Sequence, residues 1–498
     1  MVAEVICIGA GPAGLTAAYL LSKQGVPVTI LEKDPVYVGG ISKTITYKGF
    51  CFDIGGHRFF SKSEEIEKLW DEILGDDFLK RQRKSRIFYR GKFFSYPLKP
   101  FEALTNLGIF TSVQCLASYI RAKIFPYKNP KNFAEWTTNH FGTKLFNIFF
   151  KTYTEKVWGM KCNEISADWA AQRIKGLSLW IAVKNAFFPQ KGGRQNSIKT
   201  LIDSFRYPRK GPGMMWERAA EKIKQRGGEI KMGAEAVELH YLPERRIWQV
   251  HYKTQDGAGE ILEARHVINS APLKEIAEGL KPALPLSALQ AAGSLRYRDF
   301  LIVALIVEDK NIFDDNWIYI HDPSVKVGRI QNFKSWSPEM VPDPNLNCYG
   351  MEYFCFEGDG LWNSSDEGLI KLATSELAKL GLAGESDIKD GYVVRQKKAY
   401  PVYDGHYMQH INTIRAALEK HYPNLHLVGR NGMHKYNNQD HAMMTAVLTV
   451  KNILAGKQIY DVWKVNQDAE YHETVENGEK SSGSSLRAVP LSSGKKNG

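Results

Sequence analysis

The sequence predicts an α/β protein, α+β over the chain as a whole, combining a doubly wound unit, an inserted helical domain and an antiparallel-sheet domain. Three observations predict it. Two short apolar runs, residues 2–8 and 26–31, flank a glycine-rich turn and a helical stretch. Residues 62–190 follow a mainly helical pattern. Residues 295–357 return to strands, the run Leu301–Val307 among them. At 498 residues the chain is too long for one core, so two or three domains are expected.

VAEVICI (2–8) reads as a buried strand. Gly9-Ala10-Gly11-Pro12-Ala13-Gly14 turns it into a helix that runs through Leu21–Ser22 and stops at Gly25. Val26–Leu31 is the second strand and closes on Glu32, completing a βαβ unit of ~30 residues. In this loop the first glycine permits the tight turn and the second lets backbone approach a pyrophosphate. The third lets the helix pack on the sheet, and the helix N-terminus stabilises phosphate charge. Glu32, eighteen residues beyond Gly14 at a strand end, is placed to accept both hydroxyls of an adenosine ribose. Lys33 then leads to Gly39-Gly40, and Asp53-x-Gly55-Gly56-His57 follows, two further loops where backbone passes close to a cofactor.

Within the helical stretch, Arg86–Tyr96 reads as two short strands around a turn at Arg90-Gly91. The apolar segments 108–119 and 176–188 are interrupted by polar residues and fall short of a membrane span, so packed helices are expected. Residues 189–213, rich in Gly, Pro and basic side chains, predict a mobile loop. A helix at 214–226, strands at 229–240 and 247–253, and a buried strand at His266–Ser270 come next. Beyond the 295–357 strands lie a helix at 364–381, a strand at Asn424–Val428 entering Gly429-Arg430, and a helix at about 440–455. From about 472 the tail is polar and Ser/Gly-rich, which predicts disorder.

Composition narrows the partners. Hydrophobic residues at 43% and charged residues at 24% are those of a soluble globular enzyme. The formal charge of +12 favours an anionic partner. With no long Lys/Arg run, that partner is a phosphorylated ligand, and no nucleic acid is expected. Six cysteines show neither CxxC nor zinc spacing, so no metal is expected and a reducing, cytoplasmic setting fits. The opening strand leaves no room for a signal peptide. Self-association into a homo-oligomer is left open.

The ordered trio of glycine loops resembles the large FAD superfamily that includes amine oxidases, protoporphyrinogen oxidase, phytoene desaturases and UDP-galactopyranose mutases. The resemblance implies FAD as cofactor, held by Gly9, Gly11, Ala13, Gly14, Glu32, Lys33, Gly39, Gly40, Gly56 and His57. Four further segments resemble the UDP-galactopyranose mutase family in particular: Tyr153-Thr154-Glu155-Lys156-Val157-Trp158-Gly159; Phe205-Arg206-Tyr207-Pro208 with Gly211-x-Gly213; Asn316-Trp317-Ile318-Tyr319 with Gly328-Arg329; and Gly429-Arg430 with Tyr436-x-Asn438-Gln439-Asp440-His441. With Ala399-Tyr400-Pro401 between, the match is colinear over residues 4 to about 456. It adds Gly429, Arg430, Asn438 and Gln439 to the cofactor contacts.

The same resemblance implies a Rossmann-like FAD-binding domain from residues 1–75, 208–280 and 420–460. A helical domain over 98–190, an antiparallel substrate domain from 81–97 and 285–400, and a disordered tail at 472–498 complete the chain. Arg206, on a mobile loop, and Arg329, on a strand, are expected to clamp a nucleotide-sugar diphosphate from opposite sides, since arginine pairs directionally with such oxygens. Tyr400 and Tyr436 add hydroxyl donors. Tyr153 and Trp158 flank the sugar or base, and Tyr96, Trp317 and Tyr319 contact the nucleotide. His57 lies beside flavin N5 and shapes the loop rather than acting as acid or base. In the family, reduced flavin N5 attacks the sugar anomeric carbon, and the nucleoside diphosphate leaves and is recaptured. UDP-galactose is the default substrate, with another UDP- or dTDP-sugar next. The alternatives are an FAD-dependent oxidase or desaturase of the amine oxidase type and an FAD-free binding protein on the same fold. Intact Gly9, Gly11, Gly14 and Glu32 argue against the last.

Overall fold

The computed structural model describes residues 3–96, 98, 100–165, 167, 200–201, 204–466 and 474–475. The apolar segment 176–188, residues 189–199 of the expected mobile loop, and the tail other than 474–475 lie outside the described residues.

β1 (Ala3–Ile8), α1 (Pro12–Lys23) and β2 (Val28–Glu32) form the βαβ unit. β1 lies parallel between β2 and the strand Gly259–Asn269. Glu229–Met232 pairs parallel with β2, and Leu425–Leu427 pairs parallel with Gly259–Asn269. Ile247–Lys253 and Glu235–Leu242 continue the sheet antiparallel. Every residue of β2 is buried, as expected of a parallel strand covered on both faces. One face packs through Leu15, Tyr19, Trp216 and Met443, which belong to α1 and the helices Gly213–Gln225 and Gln439–Leu454. The other face packs through Trp248, Tyr252, Leu418 and Tyr422.

The second sheet has seven strands, with Tyr297–Glu308 between Ile388–Pro401 and Leu346–Cys355. Leu301, Val303, Leu305 and Val307 enter one core, whereas Phe300, Ile302, Ala304 and Ile306 enter another. This period of two, apolar on both sides, is a strand buried on both faces. Arg329–Asn332, Trp317–Ile320 and the hairpin Ser85–Tyr89/Lys92–Ser95 complete the sheet. At the hairpin, Arg90 (φ 50°) and Gly91 (φ 74°) both take left-handed backbone, the two-residue turn whose twist matches the strands.

Two expectations are corrected. Residues 204–208 form a strand (Ser204–Pro208) that pairs with Phe78–Gln82 and leads into the helix Gly213–Gln225, so this part of the chain is not a mobile loop. Phe205 and Tyr207 are buried while Arg206 turns outward, the alternation that fixes a strand. In the tail, Thr474–Val475, its only described residues, pair with Thr200–Leu201. The 108–119 segment is helical (Ile109–Ile124), but of that helix only Cys115, Tyr119 and Ala122 are buried. A second apolar side, with Ile109, Val113, Leu116, Ile120 and Ile124, is exposed.

Candidate active site

Backbone builds the cofactor cradle. The Ala10 amide donates to Glu32 Oε2 at 2.6 Å, and the Asp34 amide donates to Glu32 Oε1 at 2.8 Å. The Gly39 amide donates to the Ala10 carbonyl at 2.7 Å, which joins the second glycine loop to the first. A side chain at Gly14 would overlap the Gly9 carbonyl, and one at Gly40 would stand 3.2 Å from Gly11 Cα. At Gly429 a Cβ would lie 3.0 Å from Ala13 Cβ, so the C-terminal loop closes on the start of α1. No side chain caps α1. Asn438 is the N-cap of the Gln439–Leu454 helix, and Gln439 Nε2 donates to the Arg58 carbonyl at 3.0 Å. Gln439 Oε1 is buried with no hydrogen-bond partner among the described residues. Gly56 lies beneath Trp336 and Gln331, and Lys33 is exposed at the rim. Burial raises the Glu32 pKa, and the Asp34 and Ala10 amides oppose that rise. A side-chain-free cradle at a helix N-terminus, an acceptor carboxylate and an unsatisfied buried amide oxygen fit a dinucleotide.

Next to the cradle stands an aromatic wall. Tyr400 and Tyr436 stack at 5.7 Å and 13°, with the Arg430 guanidinium 5.3 and 5.0 Å from their ring centres. Trp158 adjoins Tyr436 at 6.3 Å. Tyr319 contacts Tyr96 at 5.0 Å, Tyr153 at 5.4 Å and Trp317 at 6.2 Å. His57 and Arg329 meet at the Gly55 turn, where a Cβ would lie 3.9 Å from the imidazole and 3.6 Å from the guanidinium. His57 Nδ1 is 3.1 Å from the Gly55 carbonyl. Burial, reinforced by the Arg430 charge, pushes the His57 pKa down to about 3, so the imidazole is neutral at physiological pH. Arg329 Nε donates to Glu352 Oε2 at 2.5 Å. Gln331 Nε2 donates to Glu352 Oε1 at 2.7 Å, and Trp336 Nε1 donates to Gln331 Oε1 at 2.9 Å.

The helix Thr152–Trp158 brings Tyr153 and Trp158 to this wall. Lys156 Nζ donates to the carbonyls of Ile320, Asp322 and Val327. Arg298 donates to those of Lys156, Val157 and Phe354, in the space that a side chain at Gly159 would fill. Inside the signature segment, therefore, the lysine tethers the helix and the aromatics face the site. His321 stacks flat on Tyr153 at 4.9 Å and 6°.

Burial lowers the His321 pKa to about 3 and that of His434 to about 4, against ~6.5 when unfolded. Between those values the unfolded chain binds more protons than the folded one. The contribution of the two histidines to stability is therefore full above pH ~6.5 and is lost as pH falls toward the folded values. Thermal unfolding should show a midpoint that drops on acidification. The variant His321→Phe, which keeps a ring against Tyr153, should flatten the slope; parallel curves for the two proteins would refute this origin.

Arg206 is the correction at the site. Its guanidinium bonds to Glu67 Oε2 at 3.1 Å and to Asp71, both on the helix Glu64–Leu74, and lies over the Phe78 ring at 4.3 Å. The strand's alternation turns it away from Tyr207 and toward Glu67 and Asp71, which hold its guanidinium in this structure. Arg206→Ala should cost under ~1 kcal/mol in denaturant unfolding, as partly exposed ion pairs do, and should leave ligand affinity unchanged. A large affinity loss would restore the clamp. Two other arginines come to the wall. Arg58 lies 5.1 Å from the Trp317 ring centre, and Arg83 lies 5.3 Å from those of Tyr96 and Trp317. Sequence reasoning missed both, along with Glu352, Gln331 and Trp336. Glu352 alone left a signal, as the one carboxylate in the otherwise apolar run Cys348–Cys355.

Residues 12–454 match the profile of the family described as flavin containing amine oxidoreductase. Protoporphyrinogen oxidase 2, chloroplastic/mitochondrial, from Arabidopsis thaliana is 22% identical over 84% of this chain and 87% of its own length. A solved structure of reduced UDP-galactopyranose mutase superposes with a TM-score of 0.78 at 21% identity, covering 91% of this chain and 96% of that one. A putative protoporphyrinogen oxidase from Exiguobacterium sp. 255-15 gives 0.69 at 16% identity, with coverages of 91% and 99%. The fold is that of FAD-dependent oxidoreductases, and FAD is the cofactor.

Proposed function

The chain belongs to the flavin containing amine oxidoreductase family, and we propose that its reaction is the pyranose–furanose interconversion of a nucleotide sugar, UDP-galactose being the first candidate. The observation that carries this reading is the meeting of Tyr153, Trp158, Tyr319, Tyr400 and Tyr436 beside Arg329 and His57. Bound and reduced, FAD supplies an electron-rich nucleophilic centre. The chain's own residues supply position and charge. Tyr400 and Tyr436 offer hydroxyls to diphosphate oxygens without adding charge, while Arg329, Arg58 and Arg83 supply the positive field that such a ligand needs. Tyr153 and Trp158 offer aromatic faces to a flat base or the apolar side of a hexose. Neutral His57 can orient a neighbour by hydrogen bonding but carries no charge to donate.

One observation favours a second reading, an FAD-dependent oxidase or desaturase: the Arg329 charge is already paired with Glu352. Titrating the reduced, FAD-loaded protein with UDP- and dTDP-sugars, followed by flavin absorbance, separates the two. The mutase reading expects UDP-galactose or a close relative to bind the reduced form. Oxygen uptake driven by an apolar substrate, with no nucleotide-sugar binding, would replace it with the oxidase reading. No helix among the described residues is long and apolar enough to cross a membrane. Six buried, unbridged cysteines support a cytoplasmic setting.

A further inference from the structure

We propose that the outward face of the Ile109–Ile124 helix docks this protein onto an anionic lipid surface. Ile109, Phe110, Val113, Leu116, Ile120 and Ile124 are all exposed, Phe110 by 85% and Ile109 by 76%. At ~100° per residue, Ile109, Val113, Leu116, Ile120 and Ile124 fall on a single arc of roughly 80°, with Phe110 at its edge. The buried Cys115, Tyr119 and Ala122 lie on a different side of the helix, so this one helix carries two apolar faces and, among the described residues, only one is covered. Exposed Phe125 and Tyr127 extend the patch past the helix end. A contiguous apolar surface of this kind is uncommon on a protein with no partner for it.

Charge identifies the partner. Arg121 and Lys123 flank the apolar arc on opposite sides, and Lys128 and Lys131 follow, all four exposed. No acidic residue occurs between Glu102 and Glu135. An apolar stripe bordered by long cationic side chains suits the boundary between acyl chains and anionic headgroups. There the stems lie along the apolar zone and the charges reach phosphate. A second copy fits poorly. A two-fold contact would set the same four cations against themselves in a chain of net charge +12.

The test uses the full, FAD-loaded chain and sedimentation with large unilamellar vesicles. These are made of phosphatidylcholine alone or of equal parts phosphatidylcholine and phosphatidylglycerol. The protein is expected to partition at least ~10-fold more strongly to the phosphatidylglycerol vesicles, with salt weakening the binding. The triple variant Ile109→Ser, Phe110→Ser, Ile124→Ser should lose that partitioning while retaining flavin and unfolding midpoint. The variant Arg121→Gln, Lys123→Gln, Lys128→Gln alters only exposed charges and should lose the preference for phosphatidylglycerol. The proposal is overturned if the unaltered protein stays in the supernatant, or if either variant binds as it does. Light scattering that finds a dimer which the serine variant dissolves would also overturn it and assign the face to a second copy.

Discussion

Gly14→Ala yields a protein without FAD. The added methyl would overlap the Gly9 carbonyl oxygen, and no side-chain rotation relieves a clash between backbone and a Cβ. Gly9 is held from behind, because its amide donates to the Leu31 carbonyl at 2.8 Å. Ser270 Oγ, which donates to the Ile8 carbonyl at 2.8 Å, blocks the other side. The start of α1 must therefore move away from the loop, and that start is the surface that meets the pyrophosphate. Overpacking of this kind costs about 3 kcal/mol at a rigid site, which corresponds to FAD retention weakened by ~100-fold. The measurement is the flavin-to-protein absorbance ratio after gel filtration. Gly25→Ala is the control, since its Cβ meets nothing within 4 Å and only its φ of +71° is strained. It should keep its flavin at a cost of ~1 kcal/mol in stability.

Arg329→Leu is expected to be nearly as damaging, for a different reason. It leaves Glu352, whose side chain is wholly buried, with Gln331 as its remaining hydrogen-bond partner and no opposite charge. Orphaning one member of a buried pair costs about 3–5 kcal/mol, read as a lower denaturant midpoint. Replacing a whole buried pair by apolar residues is often neutral, so Arg329→Leu with Glu352→Leu should recover most of that stability. It should not recover nucleotide-sugar binding, because the cation facing the phenols is gone. A double variant that regains both would make Arg329 structural only.

Much of this architecture was legible because local rules and the fold agree. The β1–α1–β2 unit, the Arg90-Gly91 hairpin and the alternating run Leu301–Val307 each carry period and turn chemistry in a few residues. The edge strand Ile388–Pro401 was not legible, since its Lys- and Arg-rich sequence is a strand through pairing with Tyr297–Glu308. Periodicity placed a helix near 108–119 but could not say which face another element covers, and here no other described element covers one of its two apolar faces. For Arg206, likeness to a loop motif outweighed the alternation of Phe205 and Tyr207, which already spelled a strand facing two ways. Arg83 reaches the site because the strand Ser85–Tyr89, which it precedes, lies parallel to Trp317–Ile320, a pairing between segments more than two hundred residues apart. Arg58 is held there by Gln439, which donates to its carbonyl from a helix even more distant in sequence. The phenols were found through motif resemblance. Their stacking geometry needed the fold.

The most direct test is product analysis of UDP-galactose incubated anaerobically with the dithionite-reduced, FAD-loaded protein. The proposed function predicts that a furanose isomer accumulates to an equilibrium fraction, that the oxidised protein makes none, and that no net reductant is consumed. A fully reduced, flavin-saturated protein that forms no furanose from any UDP- or dTDP-hexose would contradict it, as would equal turnover by the oxidised form in air.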